Sequence, residues 1–305
     1  MDGTSLTLKV KEMALAYGMD YAGIAGVDRF DQGPQDRHPQ YLLPGARAVI
    51  SMGKKLSKGT LISHSNAYHR GLRHSFFTYL WAGYGLINQH FSDEIALRVT
   101  RFLEAEGHVT LPMVASAVED LDIPMGAISH RHAAVAAGLG EFGWSALFMT
   151  PDAGPRVRLV TVITTADLVP DPLYEGPPIC DKETCAQIYG DGKRPRCVIA
   201  CTMHVLSPTL SCECTIGHKT FRYAKFDKFK SMWAGLGLNR SAMGTKDIPV
   251  PASPRTEDVV RAMPQRDAAQ SLELLVAGRS NYCGRCLNEC PVGMPEEVLA
   301  SRALT

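Results

Sequence analysis

The chain has 305 residues, of which 45% are hydrophobic, and its formal net charge is +1. This length suits one large domain or two modest ones, with ample apolar content for a core. The near-neutral charge disfavours nucleic acid as a partner, and no apolar run approaches the ~20 residues needed to cross a membrane. Residues 1–18 resemble neither a secretory signal peptide nor a twin-arginine signal, so we expect a cytoplasmic location.

The first 170 residues mix helix and strand patterns without a regular alternation. Helical apolar spacing and capping signals predict helices over Leu6–Tyr17, Phe76–Phe91, Arg131–Ala137 and a segment capped by Ser92 and closed by Gly107. Short β-rich runs predict strands over Tyr21–Val27, Ala46–Met52, Val109–Ala115, Ala146–Met149 and Val157–Thr164. The last two flank a Pro/Gly turn and are expected to form a hairpin. The pattern indicates an α+β fold with a partly antiparallel sheet.

A glycine-rich segment, Gly138-Leu139-Gly140-x-x-Gly143, matches G-x-G-x-x-G. A dinucleotide site needs a strand before these glycines and a helix after them, and here the helix comes first. Two interpretations stay open: the glycines let the backbone approach something large and flat, or they end a helix and allow tight helix–strand packing.

All nine cysteines lie between residues 180 and 290, which indicates metal binding. Their spacing is Cys180-x4-Cys185, Cys197-x3-Cys201, Cys212-x-Cys214 and Cys283-x2-Cys286-x3-Cys290-Pro291. The last run is typical of an iron–sulfur loop, and eight cysteines would fill two [4Fe–4S] clusters.

Other interpretations of the cysteines are weaker. Disulfides are disfavoured because nine is odd and export is not expected. Structural zinc suits cysteines two residues apart, but the Cys-Pro ending and the x3 spacings favour iron. A single cluster with spare cysteines stays open. Prolines before Cys180 predict a boundary near residue 170, which gives domains 1–170 and 171–305, the second with a long insertion at about 215–282.

The segment HRHAAVAAGLGEFGWSALFMTPDAGPRVRLVTVITTADL, residues 130–168, closely resembles the core of the epoxyqueuosine reductase and reductive dehalogenase superfamily. Residues 43–50 (LPGARAVI) resemble its strand entry, and residues 68–71 (YHRG) its Tyr-x-Arg-Gly segment. The chain ends about fifteen residues after Cys290, so we expect a short form without the C-terminal helical-repeat domain of epoxyqueuosine reductases.

The resemblance implies a nitroreductase-like cobalamin-binding domain followed by a ferredoxin-like domain with two [4Fe–4S] clusters, through which electrons reach cobalt. The residues it implies at the cobalamin are Arg70, Gly138, Leu139, Gly140, Gly143 and Ser145. In two-cluster ferredoxins the fourth cysteine of each run ligates the other cluster. By that pattern Cys180, Cys185 and Cys197 would join Cys290, and Cys283 and Cys286 would join Cys201. The remaining thiolate would come from Cys212 or Cys214, of which we favour Cys214.

The resemblance also suggests proton donors. Asp122 or His130 would replace the acidic donor of epoxyqueuosine reductases, and Tyr68 beside Arg70 would replace the Tyr and basic neighbour of reductive dehalogenases. Each has a structural alternative, as a turn residue, a helix-start residue or a core residue respectively.

We therefore expect a cytosolic, cobalamin- and iron–sulfur-dependent reductase of a small organic molecule, supplied by a low-potential donor such as ferredoxin or flavodoxin. Two alternatives stay open. One is epoxyqueuosine reduction on tRNA, and the other is an electron-transfer or corrinoid-reducing protein without a substrate of its own.

Overall fold

The computed structural model describes residues 1–116, 122, 124–277 and 282–303. Its strands are β1 (Tyr21–Gly26), β2 (Ala48–Lys55), β3 (Thr110–Met113), β4 (Glu141–Phe142), β5 (Phe148–Met149), β6 (Val157–Thr164), β7 (Leu206–Ile216) and β8 (Lys219–Phe226). Its α-helices are α1 (Gly3–Ala16), α2 (Pro39–Leu42), α3 (Lys58–His69), α4 (Arg73–Leu80), α5 (Asp93–Ala105), α6 (His130–Ala136), α7 (Lys182–Ile188), α8 (Arg196–Ala200), α9 (Lys228–Gly235), α10 (Thr256–Ala262), α11 (Ala268–Ala277), α12 (Arg285–Glu289) and α13 (Glu296–Ala303). A π-helical stretch, Trp81–Ser92, joins α4 to α5.

An antiparallel sheet in the order β1–β2–β6–β3 forms the centre of the molecule. Both of its faces are covered, which explains why β2 and β6 are almost continuously buried. Ile50 and Val162 pack with α1 and α5 on one face. Val49 and Ile163 pack with α6 and the short β4–β5 pair on the other. The α+β prediction is confirmed at this level.

The end of the chain returns to the N-terminal helices. Tyr282, Leu287 and Val298 share one apolar cluster with residues of α3 and α4, including Phe76 and Tyr79. The last cysteine run therefore packs against helices more than 200 residues earlier in the sequence. The predicted insertion, at about 215–282, contains β8 and helices α9 to α11, whereas β7 lies almost entirely before it. The predicted boundary near residue 170 stays a prediction.

Most element predictions are confirmed within a few residues, but two are wrong. The run at Ala146–Met149 does not form a hairpin with β6: its strand β5 pairs with β4, and β6 lies between β2 and β3. Ser92 is not an N-cap, because it continues the π-helical stretch with helical dihedral angles and its side chain makes no capping bond. Gly107, at φ +90°, follows the end of α5 as predicted. No prediction anticipated α3.

No helix in the described ranges combines the length and the apolar character that crossing a bilayer requires.

Candidate functional site

Five cysteines from three segments of the chain line one small cavity. They are Cys180, Cys185, Cys197, Cys286 and Cys290, and the wall between them includes Trp144, Ser145, Met149 and Pro291. The set contains all four cysteines predicted to share the first cluster. Their proximity also affects the pKa of one thiol. Burial raises the pKa of Cys197, and the nearby thiols raise it further; these are Cys286, Cys180, Cys290 and Cys185.

Local structure holds these thiols in place. Asp181 caps α7 by accepting from the Thr184 N–H at 2.9 Å, and this places Cys185 within the helix. The Trp144 backbone N–H donates to Cys180 Sγ at 3.4 Å. Hydrogen bonds of this kind to cysteine sulfur are one of the means by which proteins tune iron–sulfur clusters.

A second group of cysteines adjoins the first. Burial raises the pKa of the Cys286 thiol, and Cys283, Cys201 and Cys290 add to the shift. Cys201 accepts a hydrogen bond from the Val205 N–H at 3.4 Å. Cys201, Cys283 and Cys286 are thus neighbours, as predicted for the second cluster. We call them the second cysteine group.

The structure does not bring Cys212 or Cys214 to the second cysteine group. Both lie on β7, which begins at Leu206 in the same apolar cluster as Cys201. At about 3.3 Å per residue, Cys214 is ~25 Å along the strand from Leu206. Cys214 packs instead near Tyr223, and burial is the main cause that raises its pKa.

The nine cysteines, all within the described ranges, form no disulfide bonds. Within the ranges that the structure describes, no group of three or more His, Cys, Asp or Glu side chains has the geometry for a single metal ion. The two groups are therefore defined by the cavity and by mutual proximity.

Arg156 anchors the last cysteine run from inside the protein. Its side chain is 1% exposed. It donates from Nη1 to the carbonyl oxygens of Leu287 at 3.0 Å and Cys290 at 2.9 Å, and from Nη2 to the Val292 carbonyl. The carbonyl groups at the C-terminal end of α12 thus accept hydrogen bonds from the Arg156 side chain, which lies immediately before β6.

Glu289 fixes the same run from the other side. Its carboxylate is 2.6 Å from His69 Nε2 and from Arg196 Nη2, and 3.7 Å from Arg302 Nη1. Burial raises the pKa of Glu289, but Arg302, Arg196 and His69 outweigh burial and the net shift is downward. One buried carboxylate therefore joins α3, α8 and α13 immediately before Cys290.

A much larger cavity, of about 870 Å³, opens beyond the cysteines. Its wall combines Tyr84, residues 113–116, residues 124–131, and residues of α9 and α10. This volume is near the upper end of the usual range for ligand sites. The lining is mainly apolar with a few convergent polar groups, as is typical of such sites.

His130 lies in the wall of the large cavity. Its Nδ1 is 2.8 Å from Thr161 Oγ1 and its Nε2 is 2.9 Å from the Val114 carbonyl oxygen. Both nitrogens are thus engaged at the start of α6. His130 is the one of the three predicted proton donors that lines this cavity.

Tyr68 and Arg70 lie elsewhere. Tyr68 donates to the Tyr282 carbonyl at 3.3 Å and lies beside the second cysteine group; burial raises its pKa well above the ordinary value. Arg70 is exposed at the end of α3. Asp122 lies in an exposed turn between residues that the structure does not describe.

The tyrosine that faces the large cavity is Tyr84, which the sequence did not single out. Its Oη is 2.6 Å from Ser116 Oγ, and the guanidinium of Arg158 lies 4.8 Å from its ring centroid. Arg158 also donates to Tyr79 Oη at 3.1 Å. A tyrosine with a basic neighbour therefore exists, but the tyrosine lies in the π-helical stretch and the arginine in β6.

Internal packing explains the predicted cofactor glycines. Gly138, at φ +71°, ends α6. A Cβ at Gly140 would overlap the Met149 carbonyl oxygen, and one at Gly143 would overlap the Met149 sulfur. Leu139 packs against Gly23, and Ser145 is buried in the wall of the cysteine cavity. The contact of these residues with a cofactor stays a prediction.

Residues in the walls of the two cavities are neighbours. Phe226 lines the large cavity and belongs to the same apolar cluster as Cys197, Cys201 and Trp144. Arg131, also in the large cavity, donates to the Ala146 carbonyl at 2.5 Å, one residue beyond Ser145 in the cysteine cavity.

Solved structures with similar folds include two reductive dehalogenases. One is a catabolic reductive dehalogenase in complex with 3-bromo-4-hydroxybenzoic acid, with TM-score 0.53 and 14% identity over 99% of this chain. The fold is that of the reductive dehalogenases. A second structure, reported with a mechanism for B12-dependent dehalogenation, gives TM-score 0.51 and 15% identity over 94% of this chain. The resemblance to the superfamily is thus confirmed as a likeness of fold.

The likeness covers only part of those proteins. The chain spans 34% and 38% of the two dehalogenase chains. An epoxyqueuosine reductase from Bacillus subtilis matches with 16% identity and TM-score 0.49, over 95% of this chain and 65% of that one. Searches with the sequence itself found no matching family model and no matching curated protein.

Proposed function

We propose that this protein is an oxidoreductase that reduces a small organic molecule in the large cavity. Electrons would come through iron–sulfur clusters held by the two cysteine groups, and cobalamin would bind in the cavity. The observation that supports this most is that Phe226, in the wall of the large cavity, belongs to the same apolar cluster as Trp144 and Cys197 of the cysteine cavity. The fold shared with reductive dehalogenases also supports a reductive activity.

The cysteine groups fit iron–sulfur clusters. Cys180, Cys185, Cys197 and Cys290 give one complete set of four thiols around a common cavity, and the Trp144 N–H already points at one sulfur. Clusters bound there would supply electrons one at a time, and cobalamin beside them would supply a strongly reducing metal centre. The protein's part is to bind, shield and orient.

The large cavity offers both kinds of contact that an organic cofactor or substrate would need. Met113, Met232 and Val259 offer apolar contact, and Ser129 and His130 offer polar contact along one side. Phe226 would exclude water from the space between cofactor and cysteines.

Tyr84 is the proton donor in this proposal, with His130 as the second polar group. The Tyr84 hydroxyl has Ser116 as a hydrogen-bond partner, and the Arg158 cation on its ring would stabilise the phenolate left after proton transfer.

The proposal is tested with cofactor-loaded protein prepared without oxygen and given 3-bromo-4-hydroxybenzoic acid and related halophenols. We expect bromide release with an artificial low-potential donor, and at least a ~100-fold lower rate for Tyr84→Phe. Tyr68→Phe is the matched control, because Tyr68 lies outside the cavity and should keep most of the rate. An unchanged rate in Tyr84→Phe would rule out this proton donor.

The same preparation distinguishes the alternatives. Reduction of an epoxyqueuosine-containing tRNA stem loop, with no halophenol consumed, would favour the tRNA substrate. Reduction of a partner's corrinoid with no small molecule consumed would favour an electron carrier. A ferredoxin- or flavodoxin-like donor and a cytosolic location belong to our proposal.

A further inference from the structure

The second cysteine group is one ligand short. Cys201 and Cys286 pack in one apolar cluster, and Cys283 lies three residues before Cys286, whereas a [4Fe–4S] cluster is normally held by four protein ligands. Cys290 lies in the first cavity with its own set of four. Cys214 is ~25 Å away along β7 from the apolar cluster that contains Cys201.

His64 lies beside this incomplete group. It comes from α3 and is 0% exposed. A Cβ on Gly284, between Cys283 and Cys286, would lie 3.2 Å from His64 Nε2. The imidazole therefore contacts the turn that carries two of the three thiols.

Neither nitrogen of the His64 imidazole has a partner at normal hydrogen-bond geometry among the residues that the structure describes, and its polar neighbour is the backbone of Cys283. Its other neighbours are the rings of Tyr68, Phe76 and Tyr79, at centroid distances of 4.8, 5.5 and 4.2 Å. Burying a polar group without a well-formed hydrogen bond is unfavourable. A metal ligand bond at one nitrogen would remove much of that penalty.

We propose that His64 is the fourth ligand of the iron–sulfur cluster held by Cys201, Cys283 and Cys286. This inference rests on the proposed function, since it needs a cluster at that site. Imidazole is an established ligand of iron in proteins, and in two-iron clusters its substitution for cysteine raises the reduction potential. The second cluster should therefore have a higher potential than the first, with its four thiolates.

Hyperfine spectroscopy on protein labelled with 15N-histidine tests the ligand directly. After partial reduction we expect a strong 15N coupling to one cluster, lost in unlabelled protein and in His64→Cys. Two reduced clusters with no such coupling would overturn the proposal. Protein with no iron at all would instead refute the proposed function.

Iron counts on variants give an independent test. We expect about eight irons per chain in the wild type and in His64→Cys, and about seven in His64→Ala after mild oxidation, with the signal of a three-iron cluster. His132→Ala is the control for loss of a mostly buried histidine, because His132 packs near Phe142 and away from the second cysteine group. Cys214→Ser should keep eight irons; loss of an iron in this variant, with none lost in His64→Ala, would overturn the proposal.

Discussion

Arg156 is the residue on which the geometry of the last cysteine run depends most. Its buried guanidinium donates to three backbone carbonyls, of which that of Leu287 is buried and those of Cys290 and Val292 are partly buried. Arg156→Met should lower the free energy of unfolding by about 3 kcal/mol and reduce the iron content, because buried acceptors lose their donors. Chemical denaturation and iron analysis measure both effects.

Arg47→Met is the matched control. Arg47 pairs with Asp167 at 2.8 Å, but both side chains are more than half exposed. Removing this pair should cost under about 1 kcal/mol and leave the iron content unchanged. Equal destabilisation by the two substitutions would contradict the anchoring role of Arg156.

His132 makes stability depend on pH. Burial, with a smaller contribution from Arg131, lowers the pKa of His132 to about 4, against 6.5 for the ordinary side chain. As pH falls, His132 in the unfolded chain binds a proton before His132 in the folded protein does. The stability that the neutral His132 side chain contributes is therefore complete above pH 6.5 and is lost progressively toward pH 4. Between pH 7.5 and 5.5 the wild type should lose about 1 kcal/mol more stability than His132→Phe.

His132→Phe keeps the ring contact with Phe142, at 4.8 Å, but cannot bind a proton. Urea titrations of both proteins at several pH values measure the difference. Parallel pH profiles for the two proteins would show that His132 is not held neutral by the fold.

The sequence identified residues well where their chemistry is local. The ferredoxin pattern implied by the resemblance grouped Cys180, Cys185, Cys197 and Cys290, which line one cavity, and Cys201 with Cys283 and Cys286; their binding of clusters stays a prediction. Tyr84 and Arg158 were missed because they are 74 positions apart, and no local pattern links the π-helical stretch to β6. The preference for Cys214 came from counting thiolates, which takes no account of the length of an extended strand.

At the scale of elements, close packing against β5 explains the glycines at positions 140 and 143. A Cβ at Gly140 would overlap a backbone oxygen, which cannot move aside as a side chain could. Gly140→Ala should therefore destabilise the protein by ~2 kcal/mol or more, or prevent folding. Thermal unfolding and soluble yield measure this.

Gly59→Ala is the comparison for that substitution. Gly59 lies in the first turn of α3, and nothing is within 4 Å of the position of its Cβ. Alanine there should stabilise by about 0.5–1 kcal/mol, because it restricts the unfolded chain and favours helix. If Gly140→Ala is as stable as Gly59→Ala, the packing explanation for the glycines fails.

Element predictions failed where tertiary pairing overrides local pattern. The Pro/Gly turn after Met149 does form, with a bridge between Thr150 and Gly154. The strands on either side then separate, because β6 has buried partners on both edges in β2 and β3. A turn signal predicts a reversal of the chain but not which strands pair beyond it.

At the scale of the whole molecule, the site depends on contacts between the last cysteine run and segments much earlier in the chain. Cys286 and Cys290 line the same cavity as thiols roughly 100 residues earlier, and the helix that follows them, α13, packs on α3. Composition and the cysteine pattern could indicate a metal-binding α+β protein. They could not indicate that Phe226 of the large cavity shares one apolar cluster with the cysteines.

The most direct test of the account is the metal content of protein isolated and reconstituted without oxygen, with its visible spectrum. We expect about eight irons and one cobalt per chain, with the absorption of iron–sulfur clusters and of a corrinoid. A colourless protein with zinc in place of iron, or an iron protein that takes up no corrinoid, would contradict it.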